Sequence, residues 1–105
     1  MAEIKHVTEG NFRQEVEACS VPVLVDFYAE WCGPCKMVQP ELEALASTRN
    51  DIVVAKVNVD ENNNLAERFS INSIPCMILF VDGEAKKTII GYRTKQQLEA
   101  IIDEK

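Results

Sequence analysis

Apolar residues follow two rhythms along this chain, short continuous runs and positions three or four apart, and the alternation between them predicts the element order. Residues 3–7 alternate and predict a short first strand. Asn11, with Gln14 three positions on, resembles a capping box, and Phe12, Val16 and Cys19 follow at helical spacing, predicting a helix over 11–19. Ser20-Val21-Pro22 ends it. Residues 23–28, Val-Leu-Val-Asp-Phe-Tyr, are apolar on both faces, as expected of a central strand covered on both sides. Val38, Leu42 and Leu45 place one apolar face on a helix over 33–49, with Pro34 at the favoured first position and Pro40 inside, where a kink is expected.

After Asn50-Asp51 comes an apolar strand over 52–59, completing a βαβ unit with an expected right-handed crossover. The polar stretch 60–64 caps a short helix carrying Leu65, Ala66 and Phe69. Ile74-Pro75 precedes a strand over 76–81, and Asp82-Gly83 signals a hairpin into a strand over 87–91. Thr94 with Gln97 repeats the capping-box pattern before a last helix whose apolar face holds Leu98, Ile101 and Ile102. The order β-α-β-α-β-α-β-β-α predicts an α/β fold, a mixed five-stranded sheet with helices on both faces. No linker or internal repeat interrupts it, and residues 1–105 are expected to form a single domain.

Composition narrows the function. Eleven basic against seventeen acidic residues give a net charge of -6 without a basic stripe, so nucleic acid is not an expected partner. The first residues lack an apolar leader pattern and no stretch approaches a membrane span, so no membrane association is expected. Four cysteines in a chain large enough to fold without staples suit a reducing cytoplasm, where paired cysteines are catalytic or metal-binding more often than structural.

Two of those cysteines, in Trp31-Cys32-Gly33-Pro34-Cys35-Lys36, fall where the central strand gives way to a helix. A thiolate, not a thiol, attacks a disulfide. At the helix start, unpaired N–H groups and the macrodipole favour negative charge on Cys32, and Lys36 adds a cation one turn away. Cys35, one turn in, is expected to be more covered, which makes Cys32 the attacker and Cys35 the resolver. The spacing allows a small-ring disulfide, Gly33 leaves room for substrate and Pro34 stiffens the ring. Zinc is the competing reading, and it needs two more ligands from Cys19, Cys76 and His6, none of them paired at ligand spacing.

Asp26 interrupts the apolar strand. Burial should raise its pKa and suit it to take the Cys35 proton; the alternative is a structural pair with Lys56 on the neighbouring strand, and the two are compatible. Pro75 cannot donate to a strand ladder and marks a special turn, with a cis bond one option. Gly91 suggests a close backbone approach or an ordinary strand end. Cys76, next to Pro75, is either a third thiol near the pair or a small buried hydrophobe, and Cys19 reads as core. Met37 either packs or borders the groove.

Taken together, Asp26, Trp31 to Lys36, Ile74-Pro75, Asp82-Gly83 and Gly91 stand in an order and spacing by which the whole chain resembles the thioredoxin family. The resemblance implies a three-layer α/β/α sandwich with four helices and a cytoplasmic dithiol-disulfide oxidoreductase of broad protein-disulfide substrates. It implies no bound cofactor beyond the reversible Cys32–Cys35 disulfide, re-reduction by an NADPH-dependent flavoprotein reductase, and a monomer. It further implies a cis Pro75, a substrate strand pairing with the backbone of Ile74, and a groove lined by Trp31 and Gly91. Three places depart from the commoner pattern: Tyr28 where many relatives carry tryptophan, Cys76 where threonine is usual, and the bulky Tyr92-Arg93 after Gly91. Within the same fold, a binding module without redox turnover would not need the intact Cys-Gly-Pro-Cys.

Overall fold

The structure, a computed structural model, describes residues 4–104. Its first strand, β1 (Lys5–His6), is shorter than the expected 3–7, of which Glu3 lies outside the described residues. The first helical segment corrects the sequence reading. Residues Arg13–Glu17 form a single π-helical turn, and no side chain caps its start. Asn11 is occupied elsewhere: its Oδ1 accepts from the Thr8 N–H at 2.7 Å and its Nδ2 donates to the His6 carbonyl at 3.2 Å, so it ties the preceding turn together. The capping box with Gln14 does not form, because that competing turn uses the same side chain.

The other elements follow the apolar pattern closely. Strand β2 (Val23–Tyr28) leads into α1 (Gly33–Thr48), then β3 (Val53–Asn58), α2 (Asn63–Arg68), β4 (Cys76–Val81), β5 (Glu84–Ile90) and α3 (Lys95–Asp103). Helix α1 continues through Pro40, whose missing N–H leaves the Lys36 carbonyl without a helical partner. Strand β5 starts three residues earlier than expected. Asp82 and Gly83 both take positive φ, 53° and 81°, and reverse the chain in two residues, so pairing resumes at once. A side chain on Gly83 would also come within 2.8 Å of the Glu17 carbonyl. At α3 the expected capping box is present in both directions, between Thr94 and Gln97.

The sheet has the order β1-β3-β2-β4-β5, with β1, β3 and β2 parallel and β4 and β5 antiparallel. Strand β2 lies at its centre, hydrogen-bonded on both sides, as its continuous apolar run requires. The pleat divides its residues between two cores. Val23, Val25 and Phe27 join Phe12, Val16, Leu65, Ile78 and Phe80 on the face covered by the π turn and α2. Leu24 joins Val38, Leu42, Leu45, Met77, Leu79 and Leu98 on the face covered by α1 and α3. The β2 end and the α1 start therefore meet at one edge of the second core.

Candidate active site

At that junction Cys32 and Cys35 form a disulfide, with Cα atoms 5.2 Å apart. The local sequence accounts for the placement. Cys32 has extended backbone and caps α1, with Pro34 in the first turn, so the chain turns from strand to helix within a few residues. The Cys35 N–H points at Cys32 Sγ, 3.2 Å away, one of the helix-start donors that have no partner within the helix. The expected contrast in coverage between the two sulfurs is small: Cys32 is 5% exposed and Cys35 3%. What separates them is their neighbours. Cys32 Sγ faces the Ile74 carbonyl at 3.8 Å, whereas Cys35 lines an open cavity of about 130 Å³ together with Lys36, Gln39 and Lys56.

The opposite wall comes from the start of β4. The Ile74-Pro75 peptide is cis, and the Pro75 carbonyl accepts from the Gly91 N–H at 2.8 Å, joining the turn before β4 to the end of β5. Gly91 has φ 93°, a conformation that side chains resist. Trp31 is 71% exposed beside the disulfide, and its Nε1 donates to Asp60 at 2.8 Å. Asp60 gave no sign in the sequence, since 29 residues separate it from Trp31 and only the β2–β3 pairing brings them together. Gly33 and Lys36 are exposed, and open space surrounds the position of a Gly33 side chain. Met37 is exposed rather than packed.

Asp26 lies beneath this surface, on the same strand as Phe27 but facing α1. It has no exposed surface, and neither carboxylate oxygen has a hydrogen-bond partner. Burial pushes its pKa up to about 7, the nearby Lys56 opposing the shift. The structural pair with Lys56 does not form. Asp26 and Lys56 are register partners on β2 and β3, yet the described ion pairs do not include them. The Lys56 ammonium instead stands over the Tyr28 ring, 5.3 Å from its centre.

Cys76 is 3% exposed and packs with Phe27, Ile78 and Phe80 on the sheet face opposite Asp26. Burial, with the Asp26 charge second, holds its thiol above the ordinary range. Cys19 is half-buried against the same core. For zinc, further ligands are missing: among the described residues no three His, Cys, Asp or Glu side chains converge. No helix among them is long and apolar enough to cross a membrane.

Comparison with known proteins agrees with this geometry. The Thioredoxin family model matches residues 3–104. The chain is 50% identical over 95 residues to a thioredoxin of Alicyclobacillus acidocaldarius, covering 90% of each chain. It is 46% identical over 98 residues to thioredoxin 1 of Synechococcus elongatus, covering 92% of each. It is 43% identical over 101 residues to a thioredoxin of Porphyra purpurea, covering 95% of this chain and 94% of that one. A redox-active pair closed as a disulfide at a helix start, on this sheet and with these relatives, places the chain in the thioredoxin family of protein disulfide oxidoreductases, which work by dithiol-disulfide exchange.

Proposed function

We propose that residues 1–105 act as a single-domain, cytoplasmic protein-disulfide reductase in which Cys32 attacks and Cys35 resolves. The observation that carries the assignment is the Cys35 N–H aimed at Cys32 Sγ from the start of α1. In the reduced protein the same donor, with the helix dipole, favours a thiolate on Cys32, and the Lys36 ammonium one turn on adds to the field. That thiolate attacks one sulfur of a substrate disulfide. A Cys32–substrate disulfide forms, the substrate S–S bond breaks, and the departing substrate sulfur takes a proton. Cys35 then passes its proton to Asp26 and attacks Cys32 Sγ. The mixed disulfide breaks, the second substrate sulfur leaves, and the Cys32–Cys35 disulfide closes, so two electrons have passed to the substrate.

Asp26 suits the proton step because a carboxyl with pKa about 7 both accepts and releases a proton near neutral pH. Lys56 tunes that value, and Pro34 and Gly33 keep the small ring stiff and approachable. By family likeness, the backbone of Ile74 beside Pro75 pairs with an extended substrate segment, with Trp31 and Gly91 as its walls. Electrons return through an NADPH-dependent reductase. The protein works as a monomer without a bound cofactor and engages neither nucleic acid nor a membrane.

The test is trapping. Cys35→Ser should hold a disulfide-bonded client as a mixed disulfide through Cys32, and Cys32→Ser should hold none and lose insulin reduction. A Cys32→Ser protein that reduced insulin at the wild-type rate would overturn the assignment.

A further inference from the structure

The cavity behind Cys35 is lined by Tyr28, Glu30, Lys36, Gln39 and Lys56 as well as by Cys35 itself. Tyr28 ends β2, half-buried, two residues beyond Asp26 and on the same side of the strand, and it lines the cavity together with Lys56. The Lys56 ammonium lies over that ring and has no carboxylate within salt-bridge distance among the described residues. A lysine stem is flexible, and an ammonium without an ion-pair partner ordinarily extends into water. Here an aromatic face supplies the attraction that keeps it at the cavity.

We propose that Tyr28 is a positioning residue for the resolving step, its ring holding the Lys56 ammonium beside Asp26 at the mouth of the cavity behind Cys35. The ring is suited to this at neutral pH, because a phenol keeps its proton there and its face stays uncharged; burial, with Glu30 second, pushes its pKa further up. The other groups around Asp26 are few. Lys56 faces it from β3, Cys76 feels its charge from β4, and Glu30 and Lys36 line the cavity from the turn and from α1. Of these, Lys56 is the cation acting on the carboxyl, so freeing its ammonium to swing outward weakens the one influence that opposes burial. The consequence for rate rests on Asp26 being the proton partner of Cys35, but the positioning itself is read without turnover.

The experiment follows the Asp26 carboxyl by NMR titration in the oxidised protein, where Cys32 and Cys35 do not titrate. It compares wild type, Tyr28→Phe, Tyr28→Leu, Lys56→Met and the Tyr28→Leu/Lys56→Met double variant. Tyr28→Phe keeps the ring and should titrate as wild type. Tyr28→Leu should weaken the acid about threefold, the worth of an exposed cation–aromatic contact. In the Lys56→Met background the same Tyr28→Leu change should have no further effect, because its influence passes through the lysine. A Tyr28→Leu shift of equal size in both backgrounds, or none in either, overturns the proposal. A pH–rate profile for resolution that failed to follow the titration would overturn Asp26 as proton partner, and with it the part of Tyr28 in the resolving step, while the hold of Tyr28 on Lys56 is decided by the titration alone.

Discussion

Asp26 and Phe27 are neighbours on one central strand, equally buried, and the structure treats them in opposite ways. Phe27 enters a face where every ring has a companion: Phe69 stands 6.1 Å from it, and Phe12, Phe69 and Phe80 lie 5.2 to 5.6 Å from one another. Asp26 enters the other face with both oxygens unpartnered. The difference is one of energetics. An aromatic cluster stabilises by removing apolar area from water and gains from the ring geometry as well. A buried carboxyl without a partner does the reverse, lowering stability once it is ionised.

Changing each side of this contrast should give effects of different sign and different pH dependence. Phe27→Ala should destabilise the protein by roughly 3–5 kcal/mol, through lost burial and a cavity among the rings, and urea melts should show the same loss at pH 4 and pH 8. Asp26→Asn should stabilise it instead, and only above acid pH. With the carboxyl raised from 3.8 to about 7, both states are protonated below pH 3.8, so the ionisation of Asp26 costs nothing there. Between 3.8 and about 7 the unfolded chain loses its proton first and stability falls as pH rises. Above about 7 the cost is constant, on the order of 4 kcal/mol before the amide's own burial is set against it. Melts should therefore show Asp26→Asn about level with wild type at pH 4 and roughly 2–4 kcal/mol more stable at pH 8.

A smaller effect sharpens the same contrast. Lys87, half-buried on β5, shows what a polar group looks like when its partners are supplied: its ammonium donates to the carbonyls of Ile101, at 2.5 Å, and Glu104, at 2.8 Å, at the end of α3. Lys87→Met should cost about 1 kcal/mol in denaturant melts at pH 7, the net worth of such bonds.

Local pattern carried most of the fold. The continuous apolar run of β2, the Asp82-Gly83 turn and the Thr94-Gln97 box each act through near neighbours in sequence, and each forms as read. Asn11 misled because two local turns compete for one side chain, and spacing alone does not say which wins. At the site, Cys32, Cys35, Asp26 and Pro75 stood out as residues out of keeping with their surroundings. Asp60 did not, since an exposed aspartate is ordinary until the sheet register brings it to Trp31, and Tyr28 stood out as a departure from the family pattern without any sign of its contact with Lys56. The coverage of the two sulfurs was also beyond local pattern, because it depends on the cis turn at Pro75 folding over Cys32.

The most direct test of the contrast is the rate at which a Cys32–client mixed disulfide resolves, measured from pH 6 to 9 in wild type and Asp26→Asn. The wild-type rate should include a rise centred near pH 7 as Asp26 loses its proton and becomes able to take that of Cys35, and Asp26→Asn should be slower and lack that rise. Superimposable profiles would contradict the account, leaving Asp26 a buried carboxyl without a part in the reaction.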